Sequence, residues 1–204
     1  MWMHARGRAT EPTGTGIVLS IDRLIEVAEQ ARATGNEIGV NVDNFDAMWQ
    51  RVNGASNVKL DLSHAGWGSM CVYADGNVYP SASFAGYEPM NMGNINTESL
   101  KDIWLDSPIA TEFRETTVQK KDVCHACHLK FICGGGDIEH SFFHSQRIDG
   151  EGRLLAWDPY CGLYKHFIRE GMGQITEEKA RGKVNSGYNS PPVYHAMGEG
   201  AVVC

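Results

Sequence analysis

The cysteine set Cys124-x2-Cys127-x5-Cys133, joined by a fourth cysteine at Cys161, constrains this chain more than any other feature. A pair two residues apart can wrap one metal centre with adjacent backbone turns, and four thiolates can hold a metal ion or an iron–sulfur cluster. Cys133 follows the short link His128-Leu129-Lys130-Phe131-Ile132, and the run Gly134-Gly135-Gly136 comes directly after it. Glycine has no Cβ, so that backbone can pass close to whatever the sulfurs bind. The spacing points to a metal centre rather than to four structural thiols.

Composition narrows the setting. Of the 204 residues, 42% are hydrophobic and 21% charged, which is enough apolar material for a core and too much for wholesale disorder. A formal net charge of -7 argues against non-specific nucleic-acid binding, which needs a basic surface. No apolar run approaches the ~20 residues that a membrane-spanning helix needs. Met1-Trp2-Met3-His4-Ala5-Arg6 lacks the apolar centre of a signal peptide. The expected location is therefore the cytoplasm, where clustered cysteines favour metal over disulfides.

Along the chain, Ser20 to Thr34 reads as a helix capped by Ser20 and ended by Gly35, with Leu24, Val27, Ala28 and Ala31 at helical spacing. Glu37 to Val42 reads as a strand and Asp43 to Val52 as a second helix, the end of an α/β domain. Val58 to Leu62 alternates as a half-buried strand does. Met70–Tyr73 and Asn77–Tyr79 flank Ala74-Asp75-Gly76, a hairpin-turn signal. Ser99 to Arg114 reads as a helix that Pro108 breaks or restarts. Asp158-Pro159-Tyr160-Cys161 leads into a helix to Glu170, beyond which the chain turns polar and glycine-rich. Both ends read as cut, so the expectation is a piece of a longer protein.

The segment from Ser63 to Ile95, with Asp75-Gly76, Gly76-Asn77-Val78-Tyr79-Pro80 and Met92-Gly93-Asn94-Ile95, resembles the opening of a SPASM domain. SPASM is the C-terminal auxiliary-cluster domain of many radical S-adenosylmethionine (SAM) enzymes. The helix from Ser99 and the run Cys124, Cys127, Cys133, Asp137, followed by Cys161, continue the likeness, which covers Asp61 to Glu170. Arg6-Gly7-Arg8-Ala9 is similar to a segment near the end of the radical SAM barrel.

The resemblance implies an α+β fold: residues 1–57 as the end of a radical SAM-like α/β barrel, 58–170 as a β-hairpin and helix domain organised by a metal cluster, and 171–204 as a linker opening a further extension. A full SPASM domain has two 4Fe–4S sites. Here the positions shared by the first carry Ser63, Ser81 and Asp137, and oxygen donors are poor ligands for such a cluster. The second set is complete, so Cys124, Cys127, Cys133 and Cys161 are the expected ligands of one auxiliary 4Fe–4S cluster. Four thiolates leave no iron open, which implies an electron relay or a structural staple. The SAM-cleaving Cys-x3-Cys-x2-Cys motif is missing from this chain. S-adenosylmethionine, its own 4Fe–4S cluster and a peptide or small-molecule substrate are therefore expected in a barrel outside it, with an external electron donor as a further partner.

The competing reading is a zinc-stabilised binding module without catalytic activity, since four thiolates also suit zinc. The gap from Cys133 to Cys161 and the hairpin at Gly76, Tyr79 and Pro80 fit that reading poorly. Among the other residues, Cys71 reads as a buried small hydrophobe. His140 and His144 share a helix face without a metalloprotease pattern. His125 and His128 face sulfur or water, and Asp137 either caps a turn or adds a weak ligand.

Overall fold

The computed structural model describes residues 19–40, 42, 48, 50–52 and 63–180. The Arg6–Ala9 motif, the expected strand at Val58 to Leu62 and the C-terminal stretch from residue 181 lie outside them.

Helix α1 runs over Ile21–Ile38, with the Ser20 hydroxyl accepting the Arg23 N–H at 3.2 Å as its N-cap. It does not stop at Gly35, and there is no strand at residues 37–40. The helix ends instead at Gly39, in the left-handed region at φ 72°. Gly35 is needed inside the helix because the chain folds back over it: a Cβ there would lie 2.4 Å from the Val40 carbonyl oxygen. Residues 48 and 50–52 are helical, in line with the second expected helix.

The sheet is a small antiparallel meander of β1 (Cys71–Val72), β2 (Asn77–Tyr79) and β3 (Gly93–Asn94). Cys71 pairs with Tyr79, and Val78 pairs with Val72 on one side and Gly93 on the other. The β1–β2 turn follows the expected chemistry. Gly76 takes φ 89°, and the Asp75 carboxylate accepts the Asn77 N–H at 2.9 Å.

Helix α2 (Leu100–Asp106) is capped by Ser99, and α3 (Pro108–Glu115) restarts at Pro108 with Ser107 as its N-cap. Proline suits the first turn of a helix, where its missing N–H breaks no bond. A single turn, α4 (Lys130–Cys133), carries the third cysteine of the run. Helix α5 spans Ile138–Asp149, and α6 spans Cys161–Ala180, ten residues beyond the expected end at Glu170.

Two apolar clusters position the site. Phe84, fully buried, lies at the centre of one, with ring centroids 5.5, 5.3 and 5.1 Å from those of Phe113, Phe142 and Phe143. The other joins Leu129 and Cys133 to Tyr160, Leu163, Tyr164 and Phe167 of the α6 region, with Leu24, Ile25 and Ala28 of α1 packed against it. The sulfur-bearing turns thus rest on α6, and α6 rests on α1.

Candidate metal centre

Each of the four thiols is placed by a short piece of local structure. Cys124 opens a single 3-10 turn that closes when the Cys127 N–H donates to the Cys124 carbonyl at 2.9 Å. This is the backbone wrap that the x2 spacing implied. Cys133 ends α4, its N–H bonded to the Leu129 carbonyl at 2.8 Å. Gly134, Gly135 and Gly136 then take φ 72°, 82° and 76°, three successive left-handed residues that only glycine adopts easily. The turn brings the N–H groups of Gly135 and Gly136 onto the Cys133 sulfur. Successive N–H groups aimed at one point form an anion-binding concavity. Cys161 is the first residue of α6.

All four cysteines line one cavity of about 60 Å³ with mostly apolar walls, shared with Gly135, Gly136, Trp157 and Asp158. The five cysteines among the described residues are free thiols. The sulfurs also feel one another. Burial pushes the Cys133 thiol up to about 11, against the pull of the two glycine N–H groups, and Cys161 and Cys124 raise it further. Cys124 is raised by burial as well, partly offset by the Lys121 ammonium, with Cys161, Cys127 and Asp158 adding to the rise. Four thiolates crowded into an apolar space repel each other. A cationic core between them reverses that balance and makes deprotonation favourable.

This arrangement fits an iron–sulfur cluster. One water needs roughly 10–15 Å³ of such space, so a cavity of about 60 Å³ has room for a polyatomic group. Four thiolates closed on one zinc would sit ~2.3 Å from it. Among the described residues, no group of three or more His, Cys, Asp or Glu is placed to hold a single metal ion. The sulfurs surround a space, and the glycine turn forms one wall of it without Cβ atoms.

Ser63, Ser81 and Asp137 have different surroundings. The buried Ser63 hydroxyl accepts the Ala65 N–H at 3.1 Å. Ser81 Oγ is buried with no hydrogen-bond partner among the described residues. Asp137 is the N-cap of α5, its Oδ1 accepting the Glu139 and His140 N–H groups at 2.8 and 3.4 Å. All three flank the aromatic cluster: Ala65, Tyr79, Phe84 and Ile138 are packed members of it.

The structure also brings together residues that sequence reasoning passed over. Asp158, 2% exposed, accepts the Asp137 N–H at 2.7 Å and the Tyr160 N–H at 2.7 Å, and its Oδ2 lies 3.3 Å from His140 Nδ1. A Cβ on Gly136 would lie 2.4 Å from that Oδ2, so the carboxylate packs directly on the glycine turn. The sequence placed Asp158 just ahead of a helix, but its partners were not legible there. His140 is held by Asp158 and stacks edge-on against Tyr160 at 4.8 Å, away from any metal role. His144 sits against the Trp157 ring at 5.3 Å. His125 and His128 are exposed, and Cys71 is a buried strand residue outside the cavity.

Comparison with known proteins agrees with this geometry. A family model described as SPASM, an iron–sulfur cluster-binding domain, matches residues 64–128. An AdoMet-dependent heme synthase of Methanosarcina barkeri (strain Fusaro / DSM 804) is 26% identical over 133 residues, covering 65% of this chain and 32% of that protein. The solved structure of native anSMEcpe with bound AdoMet and the Kp18Cys peptide is similar at a TM-score of 0.50 and 19% identity, covering 79% of this chain and 42% of that one. The present chain thus spans about a third of the curated relative and under half of the solved structure. The segment 64–128, which carries the hairpin, the paired helices and the cysteines Cys124 and Cys127, is thus similar to the SPASM iron–sulfur cluster-binding domain.

Proposed function

We propose that this chain is the auxiliary-cluster part of a radical SAM enzyme acting on a peptide or a small molecule, and that Cys124, Cys127, Cys133 and Cys161 hold one 4Fe–4S cluster. The observation that carries this reading is the single apolar cavity lined by all four sulfurs, with the Gly135 and Gly136 N–H groups aimed at one of them. When bound, such a cluster supplies one-electron redox capacity. With all four corners taken by thiolates, the role is that of an electron relay or a staple, fed by an external donor. Around it, the residues of this chain exclude water, hold the sulfurs in place and stabilise their charge.

The count of one cluster is supported by the aromatic packing beside Ser63, Ser81 and Asp137, and by the use of Asp137 as a helix cap. Residues 1–57 are read as the end of the barrel, 58–170 as the auxiliary domain and 171–204 as the start of an extension. S-adenosylmethionine, the cluster that cleaves it and the substrate are assigned to the barrel outside this chain. Among the described residues, no helix is long and apolar enough to cross a membrane.

Anaerobic reconstitution tests the reading. The chain should take up about four irons and as many sulfides, as one 4Fe–4S centre requires. Cys161→Ala should lose them and Cys71→Ala should keep them. Colourless protein carrying one zinc would defeat the cluster assignment, and about eight irons would defeat the single site.

A further inference from the structure

Lys121 is 1% exposed, among the most deeply buried charged side chains of the described residues. Its Nζ donates to the Gly135 carbonyl and to the Ser141 hydroxyl, each at 2.8 Å. Its stem lies along the glycine turn, where a Cβ on Gly135 would come within 2.9 Å of Lys121 Cδ. The ammonium is thus fastened to the turn whose N–H groups face the Cys133 sulfur, and its charge also reaches Cys124. Taking an ammonium out of water costs several kcal/mol, and methionine would fill nearly the same volume without that cost. Packing alone therefore does not account for a lysine here.

We propose that Lys121 is a positioning residue that sets the reduction potential of the group held by Cys124, Cys127, Cys133 and Cys161. This rests on the cluster reading above. Adding one electron to a centre ringed by four thiolates increases negative charge in a dry, weakly screened space. A fixed positive charge at the Gly135 carbonyl lowers the cost of that electron. No bond or proton changes in the step. The ionic groups on the cavity wall itself are placed differently. Asp158, on the far side of the turn, is held by two backbone N–H groups and His140, while Lys130 and Lys165 are half-buried and closer to solvent screening. Lys121 lies behind the Gly135 wall, bonded to its carbonyl and shielded from water.

The test is an anaerobic dithionite titration of the reconstituted 204-residue chain, followed by electron paramagnetic resonance, with iron and sulfide measured first. At a fixed ambient potential, Lys121→Met should lower the reduced-to-oxidised ratio at least about tenfold, which for one electron is about 59 mV in the negative direction. Lys121→Arg should keep the original midpoint. Ser141→Asp, which leaves the lysine in place but neutralises it with a carboxylate, should also move the midpoint negative. Absence of iron in the unmodified chain would overturn the cluster reading itself. Normal iron with an unmoved midpoint in Lys121→Met and Ser141→Asp would overturn the tuning role alone. Loss of iron from both, with iron kept in Lys121→Arg, would reduce Lys121 to a folding role and equally overturn the proposal.

Discussion

Asp158 and His140 form a buried pair beside the sulfur cavity, with Oδ2 and Nδ1 3.3 Å apart and both side chains 2% exposed. Burial alone would favour the neutral ring. The hydrogen bond to Asp158, together with the charges of Asp158, Asp137 and Glu139, outweighs it and raises the His140 pKa. A group whose pKa is higher folded than unfolded stabilises the fold fully below its unfolded value, about 6.5, and ceases to do so as pH rises through the folded value. The melting temperature of the cluster-loaded chain should therefore fall as pH climbs from about 6.5. His140→Gln should flatten that slope. An equal slope in the variant would show that another group is responsible.

The same carboxylate organises the backbone. Asp158→Asn leaves one acceptor oxygen to serve the Asp137 N–H, the Tyr160 N–H and His140. Losing charge-assisted hydrogen bonds at a buried site should cost about 2–3 kcal/mol in denaturant unfolding. A loss below the noise of that measurement would remove Asp158 from the framework of the site.

Two glycines with nearly equal backbone angles should behave differently. Gly86 at φ 74° has open space where a Cβ would go, whereas Gly136 at φ 76° would place its Cβ 2.4 Å from Asp158 Oδ2. Gly86→Ala should cost only the left-handed strain of about 1–2 kcal/mol and retain iron. Gly136→Ala should displace the turn at Cys133 and lower the iron bound per chain. Equal iron in the two variants would contradict the cradle.

Phe84 is fully buried among three other phenylalanine rings. Phe84→Ala should destabilise the chain by about 3–5 kcal/mol. Phe131, 52% exposed beside the third cysteine, should tolerate alanine within about 0.5 kcal/mol. Comparable losses at the two positions would mean that the aromatic cluster is not the core.

Iron uptake by the apo chain should quicken with pH. Metal binding needs thiolates, and Cys133 is held up at about 11 by burial while Cys124 is also raised. Uptake followed by absorbance should accelerate from neutral pH into the alkaline range. A rate independent of pH would mean that deprotonation of these thiols does not limit assembly.

What the sequence made legible was local. The turn at Asp75-Gly76 and the restart at Pro108 depend on residues within a few positions of each other, and both form as expected. The four cysteines that share one cavity stood out because their spacing is the one a metal centre demands. The run of α1 past Gly35 was not legible. A glycine that ends a helix and a glycine that lets Val40 fold over it look alike until the packing is known. Lys121 and Asp158 were hidden for a related reason: a charged residue reads as surface unless its buried partners, 14 and 21 positions away, are in view. Asp137 was poised between cap and ligand, and the two α5 N–H groups on its Oδ1 decide for the cap.

Cys161 opens a helix of 20 residues whose flank is tied to α1 through His166 and Glu29 at 2.9 Å, and through Arg32 and Glu170 at 3.4 Å. The helix joins the cavity that Cys161 lines to α1. A ligand that steadied Cys161 would thereby also steady a segment 137 positions earlier in the chain.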